Sequence, residues 1–136
     1  MLQRYRPMAY SIMRCVVGAL FACHGAQKLF GALGGKVALN DPENVVAGIV
    51  EFVGGSLIAL GAFASIAALV ACGEMAVAYF KAHAPRGFWP IQNRGELAVL
   101  YCFVFLFVIF QGDGVWSLRA LWRRNKLEAA EYERSI

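Results

Sequence analysis

Three glutamates, Glu51, Glu74 and Glu96, lie in or at the start of the most apolar stretches of this chain. His24 and Lys28 stand four residues apart near the end of another such stretch, on one helical face. An ionisable side chain in hydrocarbon costs about 2.5–3.5 kcal/mol on insertion scales, so such residues are rare and usually face a protein interior or a water-filled cavity. Three carboxyls in one small apolar chain therefore predict a polar centre. Carboxyls removed from water resist ionisation, and two that share a site resist it more; this makes Glu51 and Glu74 candidates for proton handling. Each residue also has a plainer reading. Glu51 and Glu74 could be protonated carboxyls bonded across helices. Glu96 could satisfy free backbone N–H groups in a first helical turn. His24 could bond a carbonyl at the membrane interface, and Lys28 could snorkel to headgroups.

The elements that must position these groups follow from hydropathy. The chain has 136 residues, 60% of them hydrophobic and 16% charged, against about 25% charged in soluble domains. A soluble domain of this size could not hide so much apolar surface. The apolar runs approach the ~20 residues of a spanning helix. The expected fold is all-α, a four-transmembrane-helix bundle with helices at about Met8–Phe30, Asn44–Gly61, Ile66–Lys81 and Gly95–Phe110. A basic flank, residues 1–7, precedes the membrane domain of residues 8–118, and a polar, basic C-terminal tail, residues 119–136, follows it. The short link Ala62-Phe63-Ala64-Ser65 makes the second and third helices antiparallel neighbours. Trp89 in the proline-containing loop after the third helix suits headgroup depth. Arg14, near one end of the first helix, is expected to snorkel. Arg4 and Arg6 before an apolar stretch also suit a cleavable signal peptide, but Arg14 breaks that stretch and no small-residue cleavage site follows, so a retained helix is expected.

Charge sets the orientation. The termini and the second-to-third link carry eight Lys/Arg, Arg4, Arg6, Arg14, Arg119, Arg123, Arg124, Lys126 and Arg134, whereas the other two loops and their flanks carry five. The imbalance favours cytoplasmic termini. In that topology all four helices place their polar residues in the outer half of the membrane, with Glu51 and Glu74 nearer mid-depth than Glu96. Gly54-Gly55 and Gly73 allow close helix packing or clear space beside the glutamates. The basic residues form no aromatic-interleaved stripe, and nucleic acid is not an expected partner.

Other chemistries find less support. Cys15, Cys23, Cys72 and Cys102 form no CxxC pair and lie in apolar segments, where cysteine acts as a small hydrophobe; a redox pair between helices is the alternative, with a connectivity that sequence does not assign. Di-iron bundles use paired Glu-x-x-His motifs, and neither Glu74-Met-Ala-Val77 nor Glu96-Leu-Ala-Val99 supplies the histidine. No metal site is expected, and no haem-attachment motif, P-loop or dinucleotide fingerprint is present.

The blocks His24-Gly-Ala-Gln-Lys-Leu-Phe-Gly31, Glu51-Phe-Val-Gly-Gly55, Gly73-Glu-Met-Ala-Val-Ala-Tyr-Phe80, His83-Ala-Pro85, Gly87-Phe-Trp-Pro90 and Gly95-Glu-Leu-Ala98 occur in an order that resembles the DoxX family, over about Arg14 to Leu118. Arg94 stands where that pattern leads one to expect a small residue. The resemblance implies a four-helix integral membrane protein in the cytoplasmic (inner) membrane of a bacterium or archaeon, with His24, Lys28, Glu51, Glu74 and Glu96 as its polar site. It also implies a subunit of a membrane oxidoreductase complex, in contact with lipid and with partner subunits. A quinone is the cofactor this reading allows, with Phe52, Phe80, Phe88 and Trp89 as candidate walls of its slot. The chain shows no evident redox centre, so electrons would come from a partner or a bound cofactor. Two alternatives stand beside it: a non-catalytic structural or assembly subunit, with the glutamates as interhelical glue, and a small-solute or proton carrier, for which no inverted repeat or broken helix is evident.

Overall fold

The computed structural model describes residues 2–135, apart from the side chains of Tyr132, Glu133 and Ser135. Met1 and Ile136, the outermost residues of the expected flank and tail, lie outside the described residues. The described elements are all helical. After a 3-10 turn, helix α1 runs from Arg6 to Phe30. Pro7 sits in its first turn, where a missing N–H costs nothing. Helix α2 spans Pro42–Leu60. It is capped by Asp41, which accepts from the Glu43 N–H at 3.0 Å. Helix α3 spans Ala64–Arg86, helix α4 Glu96–Gln111 and helix α5 Leu118–Ser135. α1 and α2 stop at Gly31 and Gly61, both left-handed, with φ of 66° and 68°.

The first three helices are long and apolar enough to cross a membrane. α4 is equally apolar but has 16 residues, about 24 Å at ~1.5 Å per residue, less than the ~30 Å hydrocarbon core. The start of α3 at Ala64 shortens the expected link to three residues, Gly61–Phe63.

Packing follows from which residues are small. On α1 the inward seam reads Ser11, Arg14, Gly18, Phe21, Gly25, alternating three and four residues. Gly18 and Gly25 lie directly against the backbone of α2: a Cβ on Gly18 would run into Ala59 N, one on Gly25 into Phe52 N, and one on Gly55 into Ala22 N on α1. No larger residue lets the two backbones approach so closely. The α3–α4 seam buries Ala64, Ala67, Ala68, Ala71 and Met75 against Ala98, Tyr101, Phe105 and Val108. Phe21 closes the bundle between α1 and α4, its ring 4.7 Å from Phe105 and 5.1 Å from Tyr101.

Arg14 corrects an expectation. It does not snorkel but is buried, at 1% exposure. Its guanidinium donates to the carbonyls of Ile58 and Ala59 (2.8 Å) at the end of α2 and of Trp116 (2.5 Å) before α5. The free carbonyls at a helix C-terminus need donors, and a cation there is favoured by the helix dipole. The same end of the bundle is tied by Asp113, which accepts from Ala64 N at 2.7 Å, and by Tyr10, whose hydroxyl donates to Gly112 O at 2.5 Å.

Candidate functional site

The opposite end of the bundle is open. There α1, α2, α3 and α4 surround a cavity of about 940 Å³. His24, Lys28, Glu51 and Glu74 all line it. The rest of the wall is mainly aliphatic, from Val46, Val50, Val70, Val77 and Leu97, the mixed lining of a ligand pocket.

Glu51 is the most enclosed of these groups, at 4% exposure. It sits on a π-turn, Val50–Gly54, inside α2. Such turns insert a residue into the helical ladder and recur at functional sites. One Glu51 carboxyl oxygen accepts from Lys28 Nζ at 2.7 Å; the other has no partner among the described residues. Glu74, on the facing side of α3, likewise has a buried Oε2 without a partner. Burying an unpartnered polar atom costs about 1–3 kcal/mol, so two orphaned acceptors beside one cavity suit a ligand or solvent that brings hydrogen-bond donors. His24 presents its ring edge-on to Tyr101, with 6.1 Å between ring centres. At the mouth, Lys81 of α3 pairs with Glu43 at the start of α2, and a second π-turn, Tyr79–His83, carries Lys81 and His83 to the rim.

The connection between α3 and α4, which contains one short helical turn at Pro90–Asn93, is held by Asn93, itself 2% exposed. Its side chain donates to Gly87 O at 2.6 Å and accepts from Gly95 N at 2.8 Å; the backbone O of Asn93 accepts from His83 Nδ1 at 3.2 Å. Irregular backbone at membrane depth needs such internal partners. Arg94 follows with φ 61°. This left-handed conformation favours glycine, which accounts physically for the small residue expected there.

Two expectations need redrawing. Glu96 does not line the cavity; it is exposed. The inward face of α4 is Ala98, Tyr101, Phe105 and Val108. Glu96 lies two residues before Ala98, about 200° around the helix, so it stands at the cavity end of the bundle, between the lining residues Arg94 and Leu97, but on another face. The aromatic wall is also elsewhere. Phe80, Phe88 and Trp89 line a second, apolar cavity of about 410 Å³, and Phe52 packs on Phe30 outside both. The reading from sequence missed Tyr101, Lys81 and Glu43 as neighbours of the polar centre. The three-four spacing Ala98–Tyr101–Phe105 was the signal that could have placed Tyr101. Among the described residues no three His, Cys, Asp or Glu side chains are placed to share a metal ion.

Comparison with known proteins agrees with this frame. The chain is similar to an uncharacterized protein of Haemophilus influenzae, 43% identical over 124 residues, which cover 86% of this chain and 92% of that protein. No solved structure matches. The DoxX family model matches residues 9–84, ending before the Leu118 to which the sequence blocks extend. That match takes in α1, α2 and most of α3, with His24, Lys28, Glu51 and Glu74 among its residues, and it spans more than half of the chain: this multi-pass membrane protein belongs to the DoxX family.

Proposed function

We propose that the protein is an integral membrane subunit of an oxidoreductase or respiratory-type complex and that its polar cavity faces a quinone. The observation that carries this reading is the convergence of His24, Lys28, Glu51 and Glu74 on one mainly aliphatic cavity with two unpartnered carboxyl oxygens. The volume lies within the ~300–1,000 Å³ usual for small-molecule sites. A bound quinone would supply two-electron, two-proton redox chemistry. Lys28 and Tyr101 offer donors to carbonyl oxygens, and His24 can donate or accept according to its tautomer. Glu51 Oε2 and Glu74 Oε2 accept hydrogen bonds from hydroxyls, and a carboxyl in this position can hold and release a proton. α4 is the fourth crossing in this reading, and both termini are cytoplasmic, in the inner membrane of a bacterium or archaeon. Glu96 lies outside the proposed site.

The Lys28–Glu51 ion pair also favours a second reading, a structural subunit in which the carboxylates join helices. Purification from the native membrane in mild detergent, with mass spectrometry of proteins and extracted lipids, separates the two. The first reading expects redox subunits together with a quinone. A defined complex without quinone, unchanged in composition by Glu51→Gln, supports the structural reading and contradicts the first.

A further inference from the structure

Cys72 of α3 and Cys102 of α4 bring their sulfurs to 3.6 Å across the alanine-lined seam between these two helices. Both are free and half-buried. The seam around them is built from alanines, Ala67, Ala68, Ala71 and Ala98, so packing alone asks for small side chains, not for two facing thiols. A disulfide needs sulfurs about 2.05 Å apart; neighbouring helices already in contact bring them within reach by small rotations about the Cα–Cβ bonds.

Cys102 has a second neighbour. It lines the apolar cavity, whose walls include Phe80, Phe88, Trp89 and Phe103. The hydroxyl there, from Tyr79, is already donated to Phe88 O. This cavity shares Met75 and Ala98 with the polar one, so the two adjoin. Its chemistry selects an apolar, flat reactant able to lie against aromatic rings. A reactant that takes up two hydrogens and leaves no water or ion behind suits a cavity without free polar groups. A hydroperoxide would release water there.

We propose that Cys72 and Cys102 are a two-electron redox pair that closes to an interhelical disulfide at the expense of a membrane-soluble quinone in the aromatic cavity. Two S–H bonds break and one S–S bond forms. The thiols are oxidised, and their two electrons and two protons leave with the quinone as quinol. The class of acceptor rests on the quinone-facing reading above; the closure of the pair does not. The chain thereby contains a redox centre of its own, joining α3 to α4 beside the polar site.

The test uses the full chain in detergent, incubated with a short-chain benzoquinone, and with diamide as a general thiol oxidant. Non-reducing peptide mass spectrometry after alkylation reads the linkage, and absorbance reads quinol. The expected result is a Cys72–Cys102 link with Cys15 and Cys23 alkylated, and one quinol per disulfide. Cys72→Ala, which fits the alanine seam, and Cys102→Ala each abolish both signals. Trp89→Ala slows closure by quinone at least tenfold and leaves closure by diamide unchanged. In Glu51→Gln the closure persists, so loss of the polar site and loss of the pair are told apart. Closure with diamide but not with quinone overturns the proposed acceptor and with it the proposal. No link with either oxidant, or links that scramble among all four cysteines, overturns the pair itself.

Discussion

At Glu51 one carboxyl oxygen is taken by Lys28 and the other has no partner, and this asymmetry sets what substitutions there should do. Lys28→Met leaves a carboxyl at 4% exposure with no cation. Breaking a fully buried pair costs about 3–5 kcal/mol; because the Lys28 side chain keeps 33% of its exposure, the expected loss is about 2–3 kcal/mol, read as a fall in thermal midpoint in detergent. Combining it with Glu51→Leu should restore most of that loss, since an apolar pair of similar volume removes both desolvation costs. A double variant as unstable as Lys28→Met would show that the pair contributes by more than charge neutralisation. Arg14→Met should cost at least about 3 kcal/mol, because it leaves the carbonyls of Ile58, Ala59 and Trp116 without their charged donor; an unchanged melting midpoint would contradict the stapling role. Arg14 was legible as an inward residue from the seam Ser11–Arg14–Gly18–Phe21–Gly25. Its nearness to a helix end suggested snorkelling, because the carbonyls it serves belong to segments 44 and 102 residues away in the chain.

Between helices, the close approach of α1 and α2 rests on glycine. Gly18→Ala or Gly55→Ala places a Cβ against the facing backbone, which has no flexible side chain to move aside. Overpacking of this kind costs about 1–3 kcal/mol. Gly73→Ala is the contrast, since nothing lies within 4 Å of the added carbon; helix propensity then predicts a gain of up to about 1 kcal/mol. Thermal melts of the three variants check this, and equal effects at all three would contradict the glycine contact. Sequence alone indicated four apolar segments and the level along the bundle at which His24, Lys28, Glu51 and Glu74 meet, because both depend on local hydropathy and rise per residue. It did not indicate which face each residue takes. Glu74 shares a stripe with Ala71 and Ala78 and reaches the cavity, whereas Glu96 is out of phase with Ala98 and Tyr101. The π-turns at Val50–Gly54 and Tyr79–His83 have no signature in periodicity, since each shifts the phase by a single residue.

On the scale of the molecule the two ends of the bundle differ in kind. One is tied shut by Arg14, Tyr10, Asp113 and Ser117, and carries the basic residues that follow into α5. The other opens into the polar cavity. With α4 as a crossing, a reporter fused after α5 should lie in the cytoplasm, and one inserted at Lys36 outside it; both on one side would contradict four crossings. The short α4 has the Asn93-tied loop packed at its start, which lets irregular but internally bonded chain extend this side of the protein toward the surface. The central claim is that the cavity between His24, Lys28, Glu51 and Glu74 holds a quinone, and its most direct measurement is equilibrium binding of a short-chain quinone to the purified protein. With the aromatic cavity disabled by Trp89→Ala, the account predicts one saturable site in the protein that keeps Glu51 and affinity at least tenfold weaker in folded protein that also carries Glu51→Gln. Absence of saturable binding, or equal affinity in the two proteins, would contradict it.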